Sequence, residues 1–336
     1  MINEDITRLK SFLSIPRDIT IIAHRNPDGD ALGSSLGLRI YLEKKGHSVK
    51  VVMPSESPNT FSYLPHFYDV IVFDLKHDIA REALKKADCI FCLDFNGLDR
   101  VDKLGPVIND SKAKKVLIDH HLDPEPFVDF MFSDTEASST CELVYTFIDD
   151  MGDAQYVDNK IGECLFTGLI TDTGSFKYNT RANTYTVASK LKAVGVDDYY
   201  IQDKIHNSAK PKVLMLLGHC LANRMEIIEE YGAGLIYLTK EDYITFDIQR
   251  GDTEGIVNYM LMIKNVNVAA LITEQPTIVK ISLRSKGDIS VQAIASKHFK
   301  GGGHKNASGG ALYAPLNDVI SRFKRILPDY LPKNII

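Results

Sequence analysis

Short apolar runs alternate with helical patterns through the first half of this 336-residue chain, and polar residues able to do chemistry follow directly on those runs. Ile19 to Ala23 has strand character and leads into His24-Arg25-Asn26-Pro27-Asp28-Gly29-Asp30. Cys89 to Leu93 leads into Asp94, and Val116 to Ile118 into Asp119-His120-His121. Residues 31–45 show helical periodicity, with Gly46 as the expected C-cap. Residues 49–53 and 70–73 have strand character, and residues 79–86 form a helical pattern between two strands. Such alternation predicts a parallel sheet covered by helices on both faces. Ligands of these sheets bind at the carboxyl ends of the strands. Three polar groups falling at that same end constrain the fold and the site together.

From Ser138 to about Arg224 the pattern turns helical, with helices expected over 140–150, 159–170, 184–194 and 211–223. Asp172 is expected just past the second of them, in a Thr/Gly/Ser-rich turn. Strands are expected over 234–238, 268–273 and 278–283, and helices over 253–262 and 291–297. Gly301 to Gly310 is expected to be a glycine-dense loop. The fold class is thus α/β. The expected division is a metal-binding catalytic domain over 1–190, a helical linker over 191–228 and a smaller α/β domain over 229–333.

A net charge of −5 gives no global attraction to nucleic acid, so a polyanionic substrate needs a local basic patch or bound metals. Met1-Ile2-Asn3-Glu4-Asp5 lacks the basic and apolar stretches of a signal peptide, and no apolar run reaches membrane-spanning length. A cytoplasmic protein with no membrane partner is expected. Cys89 and Cys92 have CxxC spacing, but they lie in a run that reads as a buried strand. Residues three apart on a strand face opposite sides of the sheet. These cysteines are therefore expected to be small hydrophobes rather than a redox or zinc pair.

Asp28 and Asp30, separated by Gly29, can splay apart and serve different ions. Helix capping accounts for one of these carboxylates. It does not account for the other, for His24, or for the downstream triplet. Asp94 alone would be an ordinary turn residue; at the same sheet edge as His24 it can bridge two ions. Adjacent residues on an extended chain diverge, so one histidine of Asp119-His120-His121 can bind metal while its neighbour reaches substrate, with Asp119 orienting an imidazole. Asp172 completes a set of four aspartates and two histidines around two divalent ions. Ions about 3.5–4 Å apart activate water and stabilise a leaving oxygen. Carboxylate with imidazole favours Mn²⁺ over Mg²⁺ and leaves Co²⁺ and Zn²⁺ open. In the second half, the backbone of the glycine run can present N–H groups to an anion, with His304 and Lys305 adding donors. No Gly-Lys-Ser/Thr ends the run, so it is not a Walker A loop. Arg284, at a strand end, can clamp a phosphate through two hydrogen bonds.

These motifs together resemble the DHH phosphoesterase family, and Gly301-Gly302-Gly303-His304-Lys305-Asn306-Ala307-Ser308-Gly309 is similar to the signature of the accompanying DHHA1 domain. The resemblance implies one ion held by His24, Asp28 and Asp94, and a second held by Asp30, Asp94, His120 and Asp172. It makes His121, Asp94 and Asp28 the expected catalytic residues, with His121 at the scissile phosphate. It assigns substrate binding to His121, Arg284, Gly302, Gly303, His304, Lys305 and Asn306, and puts the reactive centre in a cleft between domains. Within the family a two-domain chain of this length looks most like the nano-RNase group. That group degrades short RNA oligonucleotides to mononucleotides and removes the 3′-phosphate of adenosine 3′,5′-bisphosphate. Cyclic di-AMP or pApA hydrolysis is the main alternative; polyphosphate hydrolysis and a silent nucleotide-binding protein are weaker ones. A homodimer is the expected assembly.

Overall fold

The computed structural model describes residues 3–249 and 251–333, so Met1 and Ile2 of the N-terminal stretch lie outside it. The chain forms two compact units that divide between Ser208 and Ala209, inside the stretch expected to be a linker.

The first unit is built on one sheet of β1 (Asp18–Ala23), β2 (Ser48–Met53), β3 (Ile71–Val72), β4 (Cys89–Leu93), β5 (Lys114–Asp119) and β6 (Phe130–Ser133). Every pairing is parallel, in the order β3-β2-β1-β4-β5-β6. Its helices are α1 (Asn3–Phe12), α2 (Gly29–Lys44), α3 (His77–Lys86), α4 (Leu104–Asp110), α5 (Thr140–Asp150), α6 (Asn159–Thr173), α7 (Ala182–Ala193) and α8 (Asp198–His206). Alternate strand residues go to opposite faces, as the pleat requires. Ile21, Val51, Phe91 and Val116 pack with α2, α5 and α6, whereas Ile22, Val52, Ile90 and Leu117 pack with α3 and α4. Cys89 joins the first core and Cys92 the second, so the CxxC spacing makes no pair. The chain winds one way from β1 and the other way from β4. These two strands are neighbours, and the crevice at their carboxyl ends is the switch point of the sheet.

The helix carrying Asp172 is longer than its periodicity predicts. Thr171 and Thr173 lie inside the helix, with their hydroxyls bonded back to the carbonyls of Thr167 and Leu169. The helix stops only at Gly174, whose φ of 55° makes a left-handed cap. Asp172 therefore lies in the last turn of α6 rather than in a turn beyond it.

The second unit contains α9 (Pro211–Asn223), β7 (Met225–Ile228), β8 (Ala233–Leu238), α10 (Lys240–Thr245), α11 (Ile256–Met260), β9 (Val268–Glu274), β10 (Val279–Ser285), α12 (Val291–Phe299), β11 (Gly302–His304), β12 (Ala307–Leu312) and α13 (Leu316–Tyr330). Its mixed sheet runs β11-β12-β10-β9-β8-β7, with α12 and α13 over one face and α9 and α11 over the other. The expected glycine loop is in fact the hairpin β11–β12. A side chain at Gly301 would meet the backbone of Gly309, and one at Gly310 the carbonyl of Phe299. Those glycines are set by close chain packing, whereas Gly302 faces open space. Among the described residues no helix is long and apolar enough to cross a membrane.

In the first unit, a Cβ added at Gly168 of α6 would sit 2.5 Å from Asp30 Oδ1 and would also strike Cys141 Sγ. Helix propensity alone favours Ala over Gly by about 1 kcal/mol. Overpacking costs about 1–3 kcal/mol. Gly168→Ala is expected to lower the urea midpoint; a rise would show that α6 does not need this close approach.

Candidate active site

Each site residue of the first unit is delivered by a strand end or a helix terminus. His24 follows β1 directly and is buried. Its Nδ1 lies 2.9 Å from the Arg25 carbonyl, which can only accept, so Nδ1 carries the hydrogen. Nε2 then faces Asp28 Oδ2 at 3.7 Å and Asp94 Oδ2 at 3.4 Å. Asp28 is the N-cap of α2: its Oδ1 accepts from the N–H groups of Asp30 and Ala31, each at 3.0 Å. Capping thus uses one oxygen and leaves the other directed at His24.

Asp94 follows β4 with a φ of 62°, a left-handed conformation uncommon for a residue with a Cβ. Its two oxygens look in different directions. Oδ2 faces His24, and Oδ1 lies 3.6 Å from His120 Nε2. His120 Nδ1 donates to the Ala137 carbonyl at 3.2 Å, so its Nε2 is the atom turned toward Asp94, Asp30 Oδ2 at 3.8 Å and Asp172 Oδ2 at 3.1 Å. His121 Nδ1 donates to Asp119 Oδ1 at 2.7 Å and lies 3.8 Å from Asp94 Oδ1, so Asp94, Asp119 and His121 also come together. Among the described residues, His24, Asp28 and Asp94 form one group with ligand atoms within 4.8 Å of one another. Asp30, His120 and Asp172 form a second.

The electrostatics of these groups are those of crowded carboxylates, of which Asp30 and Asp94 are buried, Asp172 is partly exposed and Asp28 is exposed. Burial acts to lower the His24 pKa, but the Asp28 and Asp94 carboxylates outweigh it and hold it well above the ordinary imidazole value. His120 is raised in the same way, by Asp172 and Asp94 against burial. Asp30 is fully buried, and burial together with the charges of Asp94 and Asp172 pushes its pKa well up. Burial likewise raises Asp172, against the pull of His120. For Asp94 and Asp28 burial is opposed by imidazoles (His120 and His24 for Asp94, His24 for Asp28), which leave both carboxyls below the usual range. Carboxylates crowded in this way call for compensating positive charge. Two divalent cations supply as much positive charge as four ionised carboxylates carry negative, and the oxygen and imidazole donors suit such ions.

Sequence reasoning missed the segment 137–141. Besides the Ala137 carbonyl on His120, the Thr140 N–H reaches Asp30 Oδ2 at 2.6 Å and the Cys141 N–H reaches Asp30 Oδ1 at 2.9 Å. The Thr140 hydroxyl lies 3.1 Å from Asp94 Oδ1. Three of these four contacts come from the main chain, and main-chain groups carry no residue-type signal.

Apart from His121, the expected substrate residues lie in the second unit. Arg284 ends β10 and Nη1 donates to the Leu283 carbonyl. Gly302, Gly303 and His304 form β11. In the turn that follows, Lys305 Nζ pairs with Asp288 at 2.8 Å. The Asn306 amide donates toward Ser285 Oγ, Gly287 O and Ile289 O, which ties the hairpin turn to the segment after β10.

A parallel sheet with acids and imidazoles gathered at its switch point is suited to hydrolysis. The chain belongs to the DHH phosphoesterase family: the DHH family, N-terminal domain, matches residues 18–169, and the DHHA1 domain matches residues 235–330. It is a hydrolase of that family. A solved structure, an exopolyphosphatase-related protein from Bacteroides fragilis, is 38% identical, with a TM-score of 0.93, and the match covers 97% of this chain and 96% of that one. The bifunctional oligoribonuclease and PAP phosphatase NrnA of Bacillus subtilis is 27% identical over 88% of this chain and 90% of its own length. The cyclic-di-AMP phosphodiesterase PdeA of Listeria monocytogenes is 26% identical over 88% of this chain and 45% of PdeA.

Ligand-linked stabilisation predicts that Mn²⁺ raises the melting temperature, by the equivalent of about 2.7 kcal/mol at a hundredfold excess over Kd. Asp94→Ala is expected to remove most of that rise in a thermal scan. A rise as large in the variant would mean that Asp94 holds no ion.

Proposed function

We propose that the chain is a metal-dependent phosphohydrolase that degrades short oligoribonucleotides to mononucleotides and dephosphorylates adenosine 3′,5′-bisphosphate. The observation that carries this reading is the pair of ligand groups meeting at Asp94. The similarity to NrnA along nearly the whole of both chains supports the substrate class. In this proposal His24, Asp28 and Asp94 hold one divalent ion, most simply Mn²⁺, and Asp30, Asp94, His120 and Asp172 hold the other. The bound ions lower the pKa of a water and polarise a phosphoryl oxygen.

The chain's own side chains do the positioning. The Arg25 and Ala137 carbonyls fix the tautomers of His24 and His120 so that both Nε2 atoms face carboxylates. Asp119 holds His121 by Nδ1, which turns Nε2 away from Asp119, and that Nε2 is proposed to contact the scissile phosphate. Arg284, Gly302, Gly303, His304, Lys305 and Asn306 are proposed to hold the nucleotide from the second unit. The similarity to PdeA favours one second reading, hydrolysis of cyclic di-AMP or its linear product pApA.

Purified protein with Mn²⁺ should release AMP from a short RNA and from adenosine 3′,5′-bisphosphate faster than it acts on cyclic di-AMP or polyphosphate, with products resolved by chromatography. Asp94→Ala should reduce turnover by more than ~100-fold, the upper end of what loss of a mere outer support costs. Preference for cyclic di-AMP would replace the first reading with the second, and near-normal turnover in the variant would contradict the two-ion arrangement.

A further inference from the structure

Glu142 lies in the first turn of α5 with its side chain fully buried, and it belongs to neither ligand group. Its Oε2 accepts from Ser138 N at 3.1 Å, Ser138 Oγ at 2.7 Å and Thr184 Oγ1 at 2.8 Å. Its Oε1 accepts from Arg181 Nε at 2.6 Å and Asn183 Nδ2 at 2.8 Å. Arg181 also reaches Asp134 at 2.7 Å. One buried carboxylate therefore ties Ser138 to the start of α7. These partners outweigh burial and hold its pKa below the usual carboxylate range.

Ser138 belongs to the strap 137–141. That strap supplies the Ala137 carbonyl to His120, two main-chain N–H groups to Asp30 and the Thr140 hydroxyl to Asp94. The other ligand group is held by its own loop: His24 donates to the Arg25 carbonyl, and Asp28 accepts from the N–H groups of Asp30 and Ala31. The strap touches the first group only at the shared Asp94, through one hydroxyl, whereas three main-chain contacts hold His120 and Asp30, so Glu142 secures chiefly the second half.

We propose that Glu142, with Arg181 as its charge partner, is a positioning residue for the Asp30/His120/Asp172 half of the centre, so that its loss weakens one of two metal sites and spares the other. This rests on reading the site as a two-ion centre. The physical reason is donor crowding. Five donors converge on two oxygens, and a glutamine at position 142 turns its NH₂ either toward the Ser138 N–H or toward Arg181 Nε, neither of which can accept. Buried donors left facing a donor force the strap to shift. A strap shift moves the Asp30 carboxylate and the His120 ring and leaves the His24–Asp28 loop in place.

The test is Mn²⁺ titration of the full chain by calorimetry, with electron paramagnetic resonance of the loaded protein. The wild type is expected to bind two ions and give a spin-coupled signal. Glu142→Gln is expected to keep one site at wild-type affinity, to weaken the other ~10–100-fold, the usual scale for loss of an outer support, and to show the uncoupled six-line signal at one equivalent. Arg181→Gln, at a partly exposed position, should shift the same site by less, and it carries the test if Glu142→Gln does not fold. Two wild-type sites in both variants would overturn the proposal. So would equal weakening of both sites, which marks a merely structural role. A wild-type protein that binds fewer than two ions would instead overturn the two-ion reading itself.

Discussion

Buried negative charge at the switch point of the first sheet sets the terms for the rest of that unit. Asp94 ends β4 beside β1, and its oxygens point to histidines that arrive from β1 and β5. Asp28, Asp30 and Asp172 crowd in from α2 and α6. Such a cluster is costly unless it is compensated by cations or protons. The raised pKa values of His24 and His120 are the proton form of that compensation. The proposed divalent ions would be the other form.

Holding such a cluster requires rigid neighbours. α2 lies against α6 at Gly33 and Gly168, where no side chain fits between the helices. This contact brings Asp30 and Asp172, which are distant in sequence, into one ligand group. The N-terminal N–H groups of α5 close around Asp30 from another direction, where the helix dipole favours an anion. The left-handed backbone at Asp94 is a local strain that the surrounding core sustains.

Much of this was legible in the sequence because it depends on residue type and on period. Apolar runs ending in His24, Asp94 and Asp119 located β1, β4 and β5 and their carboxyl ends. Alternation along 89–92 placed the two cysteines on opposite faces. Features decided by tertiary contact were not legible. β6 has one short apolar stretch and is fixed by pairing with β5. Asp172 was expected beyond its helix, in a Thr/Gly/Ser-rich turn, yet α6 runs on through Thr173 and ends only at the left-handed Gly174. Glycine density suggested a loop at 301–310, but several of these glycines allow two chains and a helix end to approach in a hairpin. Glu142 carries no signal in the sequence, since the five groups it gathers come from separate segments.

The account rests on one claim, that Asp94 is shared by two ions. Anomalous diffraction from crystals grown with Mn²⁺ tests it directly. Two peaks about 3.5–4 Å apart, one beside His24 and Asp28 and the other beside Asp30, His120 and Asp172, with the Asp94 carboxylate between them, are the predicted result. A single peak, or two peaks that do not both lie against Asp94, would contradict it.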